Sequence, residues 1–242
     1  MFHFWKNTTS DFSNLGVDIH SHILPGIDDG CKDLAASIET RGIIAELGIE
    51  RMIYTPHIHH EYYPNSASSI KHAYEQLMSN STYKQAYGHD TYAAEYMLDD
   101  HLHQQLKNEV PFLCLKDKYL LIELPIAFEN PQTQLIIFEL FIAGYQVIIA
   151  HPERYLYYEN RLAVFQQLKN MGCLFQLNLL SMSEYYGTNV SQLATQLLKK
   201  GWYDFTATDI HNATQHTDIL KVLASKNWNK WKNYPFKNSI FA

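Results

Sequence analysis

Two histidines one residue apart, His20 and His22, close a short apolar run at Gly16–Ile19, and Asp28 and Asp29 follow before Gly30. On extended backbone, residues i and i+2 point to one side, so both imidazoles can reach one point. Such a pair is a starting point for a metal site. The theme returns at Thr55-Pro56-His57, at Ile149-Ala150-His151-Pro152-Glu153-Arg154 and at Ala207-Thr208-Asp209-Ile210-His211-Asn212. Tyr92-Ala93-Ala94-Glu95 and Leu120-Leu121-Ile122-Glu123 end other apolar runs in an acid. A buried carboxylate is costly unless a cation answers it. One buried histidine is ordinarily a satisfied core residue, and one terminal glutamate an ion pair or a cap. Taken jointly, His20, His22, Asp29, His57, Glu95, Glu123, His151, Asp209 and His211 predict a polynuclear metal centre. His59, His60, His72, His89, His101, His103 and His216 do not share the pattern and are read as surface or supporting residues.

These side chains need a scaffold that brings many strand ends together. Strand-like runs fall at Gly16–Ile19, Arg51–Thr55, Thr91–Glu95, Leu120–Leu124, Gln146–Ala150, Leu174–Asn178 and Asp204–Thr208. Most lack polar alternation, as strands buried on both faces of a parallel sheet do. Amphipathic segments lie between them at Leu34–Leu47, Ser68–Gln85, Asp99–Asn108, Gln132–Ala143, Arg161–Met171 and Val190–Lys200, and a last one follows Asn212 and runs through Ser225. Gly48, Gly144, Gly172 and Gly201 stand just past four of these, where a helix C-cap favours glycine. Seven β-then-α units predict an α/β fold. A barrel gathers all strand ends around one mouth, whereas an open sheet spreads them. The expectation is therefore a distorted seven-stranded TIM-like (β/α)7 barrel. It forms a single domain over residues 1–242, with a lead-in at 1–15 and an aromatic, basic tail at 226–242. The tail is expected to pack on the barrel exterior, with a partner or oligomer contact as the alternative.

Composition narrows the function classes. The chain has 242 residues, enough for a large core, and 46% hydrophobic against 18% charged residues, an ordinary globular balance. A net charge of −6 argues against a general nucleic-acid surface. Cys31, Cys114 and Cys173 are widely spaced, form no Cys-x-x-Cys, and none has arginine six residues on, so no cysteine-dependent phosphatase loop is present. Packed thiols in a reducing cytoplasm are expected. Residues 1–6 carry no long apolar segment of a signal peptide, and no run reaches transmembrane length.

The motifs Asp18–Gly30, Thr55-Pro56-His57, Glu95, Glu123, His151-Pro152-Glu153-Arg154-Tyr155 and Asp209-Ile210-His211-Asn212 resemble those of the PHP (polymerase and histidinol phosphatase) superfamily. The first and the His-Pro-Glu-Arg-Tyr segment are most similar to its bacterial tyrosine phosphatases of the CpsB/YwqE type. The resemblance covers roughly residues 16–212 and fills every metal-ligand position. It implies the PHP fold with three divalent ions, manganese or iron, with zinc or magnesium as alternatives. By the same resemblance, His20, His22 and Asp209 hold the first ion. Glu95 bridges it to a second, completed by Glu123 and His151, and Asp29, His57 and His211 hold the third.

The activity so implied is metal-dependent hydrolysis of phosphotyrosine on a protein or peptide, the tail of a tyrosine kinase controlling capsule or exopolysaccharide synthesis. A hydroxide between two ions is the expected nucleophile. Arg154 is expected to hold phosphate oxygens and Asp209 to assist proton transfer. A second phosphate-facing arginine is expected after the last motif, but Ala213-Thr214-Gln215-His216 has none, which leaves His216 as candidate replacement. The loop His57–Asn65 either shapes a peptide entrance or covers the rim. The alternative function is a histidinol-phosphate phosphatase or another small-molecule phosphoesterase of the same superfamily. The partners expected exclude nucleic acid and membrane insertion, and the oligomeric state is left open.

Overall fold

The computed structural model describes residues 11–242. In chain order its regular elements are β1 (Val17–Asp18), α1 (Leu34–Glu46), β2 (Arg51–Tyr54), β3 (His57–Ile58), α2 (Ala67–Met78) and α3 (Ser81–Tyr87). Next come β4 (Thr91–Tyr92), β5 (Glu95–Met97), α4 (Asp100–Lys107), β6 (Tyr119–Glu123), α5 (Thr133–Ile142) and β7 (Gln146–Ala150). The remainder is α6 (Leu162–Met171), β8 (Leu174–Asn178), α7 (Thr188–Lys199), β9 (Phe205–Ala207), α8 (His216–Ala224) and α9 (Lys226–Trp231). The strands form two parallel sheets, ordered β1-β2-β4 and β3-β5-β6-β7-β8-β9. An isolated parallel bridge between Ser21 and Ile210 joins the chain just past β1 to the chain just past β9.

Two of the expected strands are broken. Arg51–Thr55 runs on through Pro56 into β3, and proline, with no N–H, interrupts the ladder there. Thr91–Glu95 divides at Ala93–Ala94, so Glu95 opens β5 instead of closing a strand. The expected helix Ser68–Gln85 is two helices. The first ends at Met78 with Ser79 as its C-cap, and Asn80 caps the next by accepting the Tyr83 N–H at 3.0 Å. Local side-chain bonds of this kind compete with continued helix.

Period-two alternation sorts the strand residues into two apolar clusters. Ile19, Ile53, Ala93, Leu121, Ile148, Ala150, Phe205 and Ala207 form an inner one. Met52, Tyr54, Leu120, Ile122, Val147, Ile149, Phe175 and Leu177 face the helices. The tail contributes to both. Trp228 packs edge-on to Phe12 at 5.1 Å, whereas Phe241 joins the inner cluster. Asn238 donates to the Val17 and Thr206 carbonyls at 2.8 and 2.7 Å. The tail therefore packs, as expected, but its end seats under the strand starts and not only on the exterior. The aromatic residues of the lead-in before residue 11 lie outside the described residues. All three cysteines are free, and among the described residues no helix is long and apolar enough to cross a membrane.

Candidate metal centre

The strand ends opposite the tail carry the predicted ligands, and the backbone there departs from ideal geometry. His151 and Asp209, at the ends of β7 and β9, adopt φ of +31° and +52°. Non-glycine residues occupy this region only where their surroundings hold them. For Asp209 the holding bonds are visible: its N–H donates to the His20 carbonyl at 2.9 Å, and His22 N–H donates to the Ile210 carbonyl at 2.8 Å. Asp18, fully buried, accepts from the Thr208 N–H and hydroxyl, which locks the end of β1 to the end of β9. Burial pushes the Asp18 carboxyl up to about 6 despite those bonds. Gly30 is required by a close approach, since a Cβ there would lie 1.9 Å from the His22 carbonyl oxygen.

All nine predicted ligands converge. His20 Nε2 lies 3.1 Å from His22 Nε2, 3.2 Å from Glu95 Oε2 and 3.3 Å from Asp209 Oδ1. His22 Nε2 lies 3.2 Å from Asp209 Oδ1 and 3.5 Å from Glu95 Oε2. Donors about 2.1 Å from a shared tetrahedral ion stand about 3.4 Å apart, and His20, His22 and Glu95 have that spacing. The other Glu95 oxygen faces elsewhere: Oε1 lies 3.2 Å from His151 Nε2, which is 3.5 Å from Glu123 Oε1. On the open side, Asp29 Oδ1 lies 3.6 Å from His57 Nε2 and 3.5 Å from His211 Nε2. His57 also faces inward, with Nδ1 3.0 Å from Glu95 Oε2.

The tautomers point the same way. His20 Nδ1–H donates to Gln176 Oε1 at 2.9 Å, His22 Nδ1–H to Asp28 Oδ2 at 2.8 Å, and His211 Nδ1–H to the Asp209 carbonyl at 2.9 Å. Each then presents a bare Nε2 to the cluster, as metal-bound histidines do. Two bare Nε2 atoms at the His20–His22 spacing repel unless a proton or cation lies between them. Glu95 Oε2 is buried and makes no hydrogen bond although three imidazole nitrogens surround it. A divalent cation resolves both features, so the residues fit a metal.

Without a cation the cluster balances itself by holding protons. Burial opposes charge on His20, but Glu95 and Asp209 carry its imidazole up to about 9. Burial, and then Glu95, push the Glu123 carboxyl up to about 7. Burial and the neighbouring Arg154 hold His151 down at about 4. Burial works against charge on Asp209 as well, yet the surrounding imidazoles hold its carboxyl far below the ordinary range.

Arg154 stands beside the cluster on the turn after His151. Its Nη1 donates to Asp209 Oδ2 at 3.4 Å, and its guanidinium lies 4.6 Å from the Tyr186 ring centre. Neither of the acids near it in sequence, Glu153 or Glu159, pairs with it. Glu153 is buried and accepts from Asn178 N–H and the Tyr203 hydroxyl. Among the described bonds none joins His216 to the cluster; Gln215 does so instead, accepting the His211 N–H at 2.7 Å. In the His57–Asn65 loop, Tyr63 stacks on His57 at 5.4 Å, while Tyr62, 71% exposed, packs edge-on to His59 at 4.8 Å, so one aromatic covers the rim and the other faces solvent.

Sequence reasoning missed Gln176, Asn178 and Tyr186. The first two had a signal: in Leu174-Phe175-Gln176-Leu177-Asn178 polar residues alternate inside a strand that should be apolar on both faces. Tyr186 had none.

The sequence profile of the family described as capsular polysaccharide synthesis, CpsB/CapC, matches residues 16–233. The chain belongs to the CpsB/CapC family. A Staphylococcus aureus protein named CapC is 32% identical over 208 residues, 86% of this chain and 81% of that protein. The tyrosine-protein phosphatase YwqE of Bacillus subtilis is 30% identical over 197 residues, 81% of this chain and 77% of the relative. A chain from the crystal structures of YwqE and of Streptococcus pneumoniae CpsB, described as unique metal-dependent tyrosine phosphatases, aligns with a TM-score of 0.76. That alignment covers 93% of this chain and 90% of that one at 26% identity. The histidinol phosphate phosphatase of Lactococcus lactis aligns with a TM-score of 0.54 at 13% identity, a likeness of fold alone.

Proposed function

We propose that this CpsB/CapC family member is a metal-dependent protein tyrosine phosphatase that removes phosphate from the tail of a bacterial tyrosine kinase serving capsule or exopolysaccharide synthesis. Its working place is the cytoplasm, and its scaffold is one domain, a distorted seven-stranded barrel. On this reading β2 with β3, and β4 with β5, each count as one bent strand, and the isolated Ser21–Ile210 bridge supports closure of the ring. The observation that carries the reading is Glu95. Its two oxygens face two different ligand sets, and a third set around Asp29 adjoins them.

Three divalent ions, manganese or iron, are assigned to these sets. His20, His22 and Asp209 would hold one, Glu123 and His151 a second, with Glu95 shared, and Asp29, His57 and His211 a third. Such ions, when bound, lower the pKa of water to about 7 and act as Lewis acids on phosphoryl oxygens. The protein's own groups supply the rest. Arg154, stacked on Tyr186, presents a planar cation to phosphate oxygens and offsets charge as the ester bond breaks. Asp209 stays ionised and orients both the ligand set and Arg154; with Oδ1 facing two imidazoles and Oδ2 accepting two donors it is a poor proton source. The leaving phenolate has a parent pKa of about 10, so little protonation is needed.

A substrate panel tests this reading. Chelator-treated protein reloaded with manganese should release phosphate from a phosphotyrosine peptide faster than from histidinol phosphate, at equal concentration. A preference for histidinol phosphate would assign the chain to small-molecule hydrolysis instead.

A further inference from the structure

Strands β6 and β7 pair in register as far as Ile122 with Ile149, and then separate. The next residues must open, because Glu123 and His151 face each other across the gap at 3.5 Å. The turn of His151 into the left-handed region also carries its backbone away from the ladder. Two backbone groups are stranded by this opening: the Leu124 N–H, just after Glu123, and the Ala150 carbonyl, just before His151. Both are buried. Unpaired, each would be destabilising.

One side-chain atom satisfies both. The Tyr155 hydroxyl donates to the Ala150 carbonyl at 2.8 Å and accepts the Leu124 N–H at 2.9 Å. A hydroxyl is suited to this because it is donor and acceptor at once. The tyrosine is fully buried, and its ring centre lies 5.9 Å from that of His151. It is set by its own turn, where its N–H donates to the Pro152 carbonyl at 3.3 Å. Tyr157, two residues on, bonds the Pro125 carbonyl at 3.0 Å and touches neither stranded group.

We infer that Tyr155 is a positioning residue for the metal centre: its hydroxyl is inserted into the sheet ladder as a spacer that sets the distance between Glu123 and His151. It touches neither substrate nor ion. This rests on the three-ion reading and adds that one of the three ions depends on a tyrosine hydroxyl outside the ligand set. Replacing it by Phe removes the spacer while keeping the ring, so the strand ends close or drift. The ion shared by Glu95, Glu123 and His151 then weakens while the other two keep their ligands.

The test is a manganese titration of the full chain, stripped with chelator, with bound metal read by elemental analysis and paramagnetic resonance. Wild type and Tyr157→Phe should take up three ions per chain. Tyr155→Phe should retain two and bind the third about 10–100-fold more weakly, the usual effect of losing a group behind the ligands. Its kcat should fall at limiting manganese and recover at high manganese, with KM for a phosphotyrosine peptide unchanged. A purely structural tyrosine would lower the melting temperature without splitting the three affinities, and that result overturns the inference. A wild-type chain with fewer than three ions overturns the three-ion reading itself. A second measurement needs no variant. The Leu124 amide of the wild-type chain should exchange its hydrogen slowly although no backbone carbonyl receives it; rapid exchange overturns the inference even where Tyr155→Phe does not fold.

Discussion

Asn178 donates its side-chain amide to Asp209 Oδ2 at 2.7 Å and thereby turns Oδ1 toward His20 and His22. The same amide reaches the Tyr186 hydroxyl at 3.2 Å, so a single buried side chain orients the Asp209 carboxylate and the ring under Arg154. Asn178→Ala should weaken the ion between His20, His22 and Asp209 by about 10–100-fold. Asn178→Asp, closer in shape, should be worse, because it places a second carboxylate against Asp209. Chelator competition measures both. An aspartate variant that binds metal like wild type would show that shape and not donation matters.

Arg154 should matter for turnover and not for metal content. Arg154→Ala is expected to lower kcat by about 10²–10³-fold, the cost of removing a donor aimed at developing charge. Arg154→Lys should recover little, since an ammonium cannot stack on Tyr186 or bind two oxygens in one plane. Steady-state kinetics beside elemental analysis separates the effects; loss of metal in Arg154→Ala would reassign the residue to the scaffold.

Metal uptake should release protons. In the metal-free chain His20 is held up to about 9 and Glu123 up to about 7, so both carry protons at or near neutral pH that a cation must displace. Affinity should therefore fall as pH falls from 8 to about 6, in the direction set by competition between protons and metal. Calorimetry in buffers of different ionisation enthalpy counts the protons. Uptake without proton release at pH 7 would mean that the cluster is already deprotonated.

Far from the centre, Asp204 accepts from Lys169 and Lys237 at 2.5 and 2.8 Å and from the Phe175 N–H at 3.0 Å. Burial raises its pKa, but these partners together hold it below the ordinary 3.8. A carboxyl lowered in the folded state adds stability above its unfolded value and loses it as pH falls through the folded one. Asp204→Asn should cost about 1 kcal/mol at pH 7, since Lys237 is largely exposed and screened. The gap to wild type should close in acid. Urea unfolding at neutral and low pH measures it, and a gap that persists unchanged in acid would assign the cost to packing.

The convergence of these histidines and acids was legible because metal chemistry uses few residue types and the strand ends repeat them. Its partition was not, because which Glu95 oxygen faces His151 depends on a bend at Ala93–Ala94 that no local pattern announces. Helix ends were legible where one side chain decides them, as with Asp33, which accepts the Ala36 N–H at the start of α1. The break at Asn80 was not, because apolar spacing continues across it. Asn178 and Gln176 stand in plain view as polar residues in an apolar strand, yet their targets, Asp209 and His20, are brought near only by the fold.

Whether the centre performs metal-dependent phosphotyrosine hydrolysis is tested most directly by phosphate release from a phosphotyrosine peptide. The protein is stripped of metal and then given manganese, wild type beside His20→Ala. Turnover absent without metal, restored by manganese in wild type and not in His20→Ala, is the expected result. Equal turnover in the stripped protein, or none in wild type with manganese, iron, zinc or cobalt, would contradict it.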